Sequence, residues 1–175
     1  LLVLTAGSGN DASVLLIPTA TQVEVPSLGV QALGDLPNQG DADLLEVTVE
    51  NLLGVDVART LVLDDAELAA ALRPSSKIPI SLHRAVTDAT DTGPVLPAGD
   101  HAVDAATAAG LLTTPQPGSE LDRLVTVQDV LEGWFKRLRS ESIAAKTKAG
   151  QPELAVLVDA AKAGDRRIDS LPVES

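Results

Sequence analysis

Residues 121–139 constrain the fold more than any other stretch of the chain. Leu121, Leu124, Val125, Leu131, Trp134, Phe135 and Leu138 fall on one stripe at helical spacing. Lys136, Arg137 and Arg139 gather at the C-terminal end, where cations complement the helix dipole. A helix patterned this way needs an apolar surface to cover its stripe, and the rest of the chain must supply one. With 175 residues there is enough chain for one domain with a sizeable core, and a single domain over 1–175 is the expectation.

Around this helix the sequence predicts short strands and further helices. Apolar runs at 1–6 and 13–17 flank Gly7-Ser8-Gly9-Asn10-Asp11, the pattern of a hairpin. Pro18 bends the second run, and Val23-Glu24-Val25 extends it beyond the bend. Residues 27–40 hold three glycines and a proline and read as a loop. Asp41 is placed to cap a helix through Leu53, with Leu45, Val49 and Leu52 on one face and Gly54 just past its end. Residues 55–63 read as a strand. Asp64 and Glu67 form a capping box that opens a helix to Leu72, and Pro74 stops it.

Farther on, Ile78–Leu82 is strand-like, 87–99 is a loop, and the Ala-rich run 100–109 reads as a short helix. Residues 113–119 contain Pro115, Pro117 and Gly118 and are irregular. A polar break covers 146–151. Pro152 then opens a last helix that buries Leu154, Leu157, Val158 and Ala161 and ends at Gly164, and 168–173 is a final edge strand. Strands mixed with helices imply an α/β sandwich.

Composition removes several function classes. A net charge of −12 opposes nucleic acid and anionic membrane surfaces, so no nucleic-acid partner is expected. One Trp, one Phe and no Tyr give little ring area on which to stack bases or sugars. The absence of Cys rules out disulfides, thiolate catalysis and Cys-based zinc sites, and two His residues cannot build a His-rich metal cage. No apolar run approaches the roughly 20 residues that cross a bilayer. The chain neither starts with nor contains Met, and it reads as a domain excised from a longer, membrane-anchored chain. Membrane contact would then come only through an anchor outside these residues. Enrichment in Ala, Val, Leu and Asp with scarce Lys fits a GC-rich actinobacterial source.

Four segments, in order, resemble the catalytic domain of LytR–CpsA–Psr (LCP) proteins. Ile17-Pro18-Thr19-Ala20-Thr21-Gln22-Val23-Glu24-Val25-Pro26 lies over the family's Ile-Pro-Arg-Asp-Thr and Val-x-Ile-Pro without a gap. Val49-Glu50-Asn51-Leu52-Leu53-Gly54-Val55 is similar to Val-Glu-Asn-Leu-x-Gly-Ile. Residues 96–104 resemble the approach to the helix bearing Ala-Leu-x-Tyr-Val-Arg. Asp122-Arg123-Leu124 and Gln128-Asp129-Val130-Leu131 resemble Asp-x-x-Arg-Ile-x-Arg-Gln-Gln-x-Val-Leu. The resemblance implies a three-layer α/β/α sandwich with a mixed central sheet and helices on both faces. It implies an extracytoplasmic phosphotransferase that moves a glycopolymer from a polyprenyl diphosphate onto peptidoglycan. Several arginines would hold the diphosphate, an acidic residue and Mg2+ would assist, and an apolar groove would take the lipid tail.

Carried over residue by residue, most of that equipment is missing. The first motif's Arg and Asp fall on Thr19 and Ala20. The Tyr-Val-Arg-x-Arg stretch falls on Leu111-Leu112-Thr113-Thr114-Pro115, so both of its arginines are replaced. In the last motif Arg123 and Gln128 are kept, the second Arg becomes Thr126, the neighbouring Gln becomes Val127, and the acidic position corresponds to Glu120. The family's earlier Arg-Ser-Asp segment would precede Leu1. Arginine suits diphosphate because its planar fork matches paired phosphate oxygens. Removing one such partner from a charge-paired site costs about 2–5 kcal/mol. No catalytic residue is therefore expected, with Thr19, Ala20, Thr113, Pro115 and Thr126 as degenerate positions.

Arg123, Gln128 and Glu120 are the ligand-binding candidates; alternatively, Arg123 is a surface residue paired with Glu120 or Asp122. Leu111, Leu112, Val125, Val127, Leu131 and Trp134 either line a groove for a prenyl or acyl chain or fill the core. His83 and Arg84 either border the groove or face solvent at a strand end. His101 beside Asp100 and Asp104 reads as a helix N-terminus, and Asp64-Asp65, Asp41 and Asp43 as helix starts, so no metal site is expected; Mg2+ would enter only with the family activity. Gly7-Ser8-Gly9 precedes no helix and is not a phosphate loop. The leading expectation is a catalytically degenerate, envelope-associated LCP-like domain that binds a polyprenyl-linked glycan or an envelope protein. The alternatives are a divergent phosphotransferase using Arg123 and Glu120, and a purely structural module.

Overall fold

The computed structural model describes residues 2–8, 11–36, 42–87, 94–113, 120–163 and 165–170. β1 (Leu2–Ser8) and β2 (Asp11–Ile17) form the expected antiparallel hairpin, with Leu2 opposite Ile17. β9 (Asp165–Ser170) runs parallel along the other side of β2, which makes it an edge strand, as its position in the sequence suggested. It begins earlier than expected, and residues 171–173 lie outside the described residues.

β2 organises the layers. Side chains alternate across a strand, so Val14 and Leu16 enter one apolar cluster while Leu15 and Ile17 face another. An unbroken run of apolar residues is what a strand covered on both faces requires. On one side lies the larger cluster, built from α2 (Asp65–Leu72), β5 (Ile78–Leu82), β8 (Gly99–Val103), α3 (Ala105–Thr113), α4 (Glu120–Leu138), α5 (Glu141–Gly150) and α6 (Ala155–Lys162). On the other side, β3 (Gln22–Val25), β4 (Gly29–Ala32) and α1 (Ala42–Leu53) hold the smaller one. Helices thus cover β2 from both faces in a mixed α/β fold. Strand pairing is divided among β1-β2-β9, β3-β4, β5-β8 and β6 (Val86–Thr87) with β7 (Pro94–Leu96).

The long helix α4 is buried more widely than its sequence stripe suggested. Val127 and Val130 are fully buried alongside Trp134 and Phe135, whose ring centroids lie 5.8 Å apart. Its closest approach is to β5. A Cβ on Gly133 would stand 2.0 Å from the carbonyl oxygen of Pro79, so this packing requires glycine.

Several local expectations hold. Asp64 Oδ1 accepts from the Glu67 N–H at 2.8 Å and Glu67 Oε2 accepts from the Asp64 N–H at 3.0 Å, completing the capping box. Gly54 has φ +67° immediately after α1. Asp41, Gly164 and residues 114–119 fall outside the described residues.

Others are corrected. β3 does not extend β2; it turns back into β4, and the region read as a loop also holds a 3-10 turn at Leu33–Asp35. Residues 55–63 form no strand. They are held by α1 side chains, with the Val57 N–H donating to Glu50 Oε1 and the Thr60 hydroxyl to Glu46 Oε2, each at 2.8 Å. β-branched composition favours a strand only where a pairing edge receives it. The Ala-rich stretch is helical only from Ala105, because residues 99–103 pair with β5 as β8. The loop at 87–99 contributes β7 and the start of β8. Residues 146–150 are not a break; they continue α5, whose inner face is Ile143, Ala144 and Thr147. Leu52 is half-exposed and Leu157 only partly buried.

Candidate functional site

The Pro18 bend follows directly on β2 and is clamped from two sides. The Thr21 N–H donates to the Pro18 carbonyl at 3.1 Å, which closes the turn through Thr19 and Ala20. The segment after β4 crosses beneath it, where the Gly34 N–H donates to the Thr19 carbonyl at 2.8 Å. A Cβ on Gly34 would lie 2.8 Å from Thr19 Cβ, so glycine is needed for this approach as well.

α4 supplies the opposite wall. Arg123 precedes Val127 by four residues and Val130 by seven, so helical spacing directs it to the buried face. It is 8% exposed. Its Nη2 donates to Thr19 Oγ1 at 3.3 Å, joining two segments 104 residues apart in sequence. Arg123 is thus not at the surface; of the two partners that the surface alternative gave it, Asp122 pairs with Arg84 at 2.6 Å, and the Glu120 side chain lies outside the described residues. His83 Nδ1 lies 3.1 Å from Asp129 Oδ2, so both residues after β5 bridge to α4. Sequence reading singled out His83 and Arg84 but missed these partners, because no local pattern links a strand end to a helix 38 to 46 residues later.

The remaining candidates have local partners. Thr126 is buried and its hydroxyl donates to the Asp122 carbonyl at 3.4 Å. The Thr113 hydroxyl donates to Ala109 O at 3.1 Å, and Gln128 Nε2 to Glu132 Oε1 at 3.1 Å. Ala20 is exposed. Thr114, Pro115 and the Glu120 side chain lie outside the described residues. Of the apolar groove candidates, Leu111, Leu112, Val127, Leu131 and Trp134 are at most 6% exposed and belong to the larger core. They pack in that cluster, where α4 meets β5 and α3. Val125 is intermediate in exposure.

Among the described residues no three acidic or His side chains come together, and the motif's acid position holds Ala20. His101 lies on β8, not at a helix N-terminus, with Nε2 2.7 Å from Pro97 O. Asp100 accepts from the Ser81 hydroxyl at 2.7 Å. Asp104 caps α3, and its carboxyl is held below the usual value chiefly by the Thr107 N–H, then by the Thr107 side chain.

A further concavity was not legible in the sequence. About 560 Å³ in volume, it lies between β3 and α1 and is lined by Gln22, Glu24, Pro26, Thr48, Asn51 and Leu52, among others. Among the described residues, no helix is long and apolar enough to cross a membrane.

No family model matches the sequence, and no curated protein matches it. Solved structures do. A LytR-Csp2A-Psr enzyme from Actinomyces oris superposes with TM-score 0.75 at 17% identity, covering 99% of this chain and 76% of that one. TagV of B. subtilis gives 0.72 at 16%, over 94% and 71%. TagT of B. subtilis gives 0.68 at 18%, over 94% and 68%, and TagT has also been solved bound to LI-WTA. At such identities the likeness establishes architecture, and it agrees with the four motif segments in their order. The chain has the LytR–CpsA–Psr fold and is an LCP-like domain.

Proposed function

We propose that this LCP-like domain is a catalytically degenerate, non-transferring member of a bacterial cell envelope, acting by binding an envelope protein. The observation that carries the reading is the Arg123–Thr19 contact. It brings together the positions at which the family resemblance places two diphosphate-binding arginines, and one of the two is now a threonine. Here the Arg123 guanidinium meets a neutral hydroxyl where the resemblance places a second cation. Transfer from a polyprenyl diphosphate needs fixed cations around the departing phosphate, preorganised where charge develops. Thr19, Thr113 and Thr126 stand where guanidinium groups would be needed. Filling of the larger core by Leu111, Leu112, Val127, Leu131 and Trp134 favours a protein partner over a lipid-linked glycan.

The test is phosphate or diphosphate release from a polyprenyl diphosphate-linked disaccharide, with and without Mg2+. The expected result is no release above the protein-free control, and no change in melting temperature on adding chelator. Release that disappears in Arg123→Ala would establish the divergent transferase instead. Mass spectra showing a co-purified polyprenyl lipid would favour the lipid-linked glycan as partner.

A further inference from the structure

Residues 55–63 join α1 to α2, and among the described residues their backbone makes no hydrogen bond to another backbone group. Both flanking helices are closed by bonds of their own. At the end of α1 the Gly54 N–H donates to the Glu50 carbonyl at 2.8 Å, and Gly54 holds φ +67°. At the start of α2 the Asp64–Glu67 capping box is complete without the connecting segment. The segment can therefore move without unwinding either helix.

Two carboxylates fasten it. Glu50 Oε1 accepts from the Val57 N–H and Glu46 Oε2 from the Thr60 hydroxyl, each at 2.8 Å. A spacing of four puts both glutamates on one face of α1. Apolar anchoring is slight. Val57 packs against the smaller cluster and Leu63 against the larger, both only partly buried, while Val55, Leu61 and Val62 are exposed. A stretch with few buried contacts and little hydrogen bonding opens at a lower free energy than the core around it. We propose that residues 55–62 form a strap that opens as a unit, latched by Glu46 and Glu50 and hinged at Gly54 and at the docked Leu63. Opening lifts Val57 from the smaller cluster and uncovers the Glu46–Glu50 face of α1, while α4 and the larger cluster stay folded. This goes beyond the function proposed above, because it involves neither Arg123 nor Thr19.

Trypsin reads the opening in the whole 175-residue chain. Arg59 is exposed and is the first Lys or Arg of the sequence, so a cut there releases residues 1–59. The first cut is expected at Arg59, at a rate that tracks the open population. Glu46→Ala combined with Glu50→Ala should speed it about tenfold. Glu46→Gln combined with Glu50→Gln keeps an acceptor oxygen at each position and should be cut more slowly than the alanine pair. Hydrogen exchange gives a second reading. The Val57 amide should exchange much faster than the amide of Val130, which is fully buried on α4, and the alanine pair should speed Val57 alone. The proposal is overturned by a first cut elsewhere, by an unchanged rate in the alanine pair, or by no difference between the two pairs. Loss of Val130 protection along with Val57 also overturns it, since the two glutamates would then hold the whole fold and not a strap.

Discussion

The two faces of β2 are built on different scales. On the α4 side, 25 buried residues, Trp134 and Phe135 among them, form the larger cluster. On the β3–α1 side, seven buried aliphatic residues do the same work without an aromatic ring. Charge divides along the chain in the same way, since all 13 Lys and Arg residues lie beyond residue 58. The contrast shows where this fold concentrates its buried apolar surface. The larger cluster holds Leu111, Leu112, Val127, Leu131 and Trp134, five of the six apolar groove candidates. The smaller one leaves a strand edge and a helix apart, with Leu52 and Val30 exposed beside them.

Truncation tests that contrast most directly. Phe135→Ala should cost about 3–5 kcal/mol in urea unfolding, whereas Leu45→Ala in the smaller cluster should cost about 2 kcal/mol. Equal losses would show that the two sides are equally packed. Gly133→Ala should lose about 3 kcal/mol, because α4 must move off the Pro79 carbonyl to admit a methyl group. A small loss there would mean that the helix slides freely over β5. Asp64→Ala should cost about 1 kcal/mol by removing the α2 cap, with Glu67→Ala costing less.

Within the smaller region, Ser27 holds φ +67° in the turn between β3 and β4. Ser27→Gly should therefore gain about 0.5–1 kcal/mol, read as a higher melting temperature. The smallest effect is a pH dependence. The Asp104 carboxyl is lowered by its cap to Thr107, so its contribution is complete above the ordinary carboxylate value and disappears as pH falls through the depressed one. Asp104→Asn should flatten the acid limb by lowering stability slightly at neutral pH while leaving the acid end nearly unchanged.

Much of the fold was legible in the sequence because its signals are local. The β1–β2 hairpin, the Asp64–Glu67 box, the end of α1 at Gly54 and the α4 stripe each depend on residues a few positions apart. The misread segments depend on partners. Residues 55–63 have strand composition but lack an edge to receive them, and residues 99–103 look helical until β5 recruits them. The site divided similarly. Family-like segments located Thr19 and Arg123, but nothing local announced that one would touch the other, or that Arg84 would take Asp122.

By itself, then, the sequence determined the element types wherever periodicity and capping act over a turn or two, and a net charge that opposes anionic partners. Tertiary structure alone decided which apolar residues share a cluster and which strands pair. The reason is physical. Burial and strand pairing are relations between distant segments, and their free energy belongs to the contact and to neither segment alone.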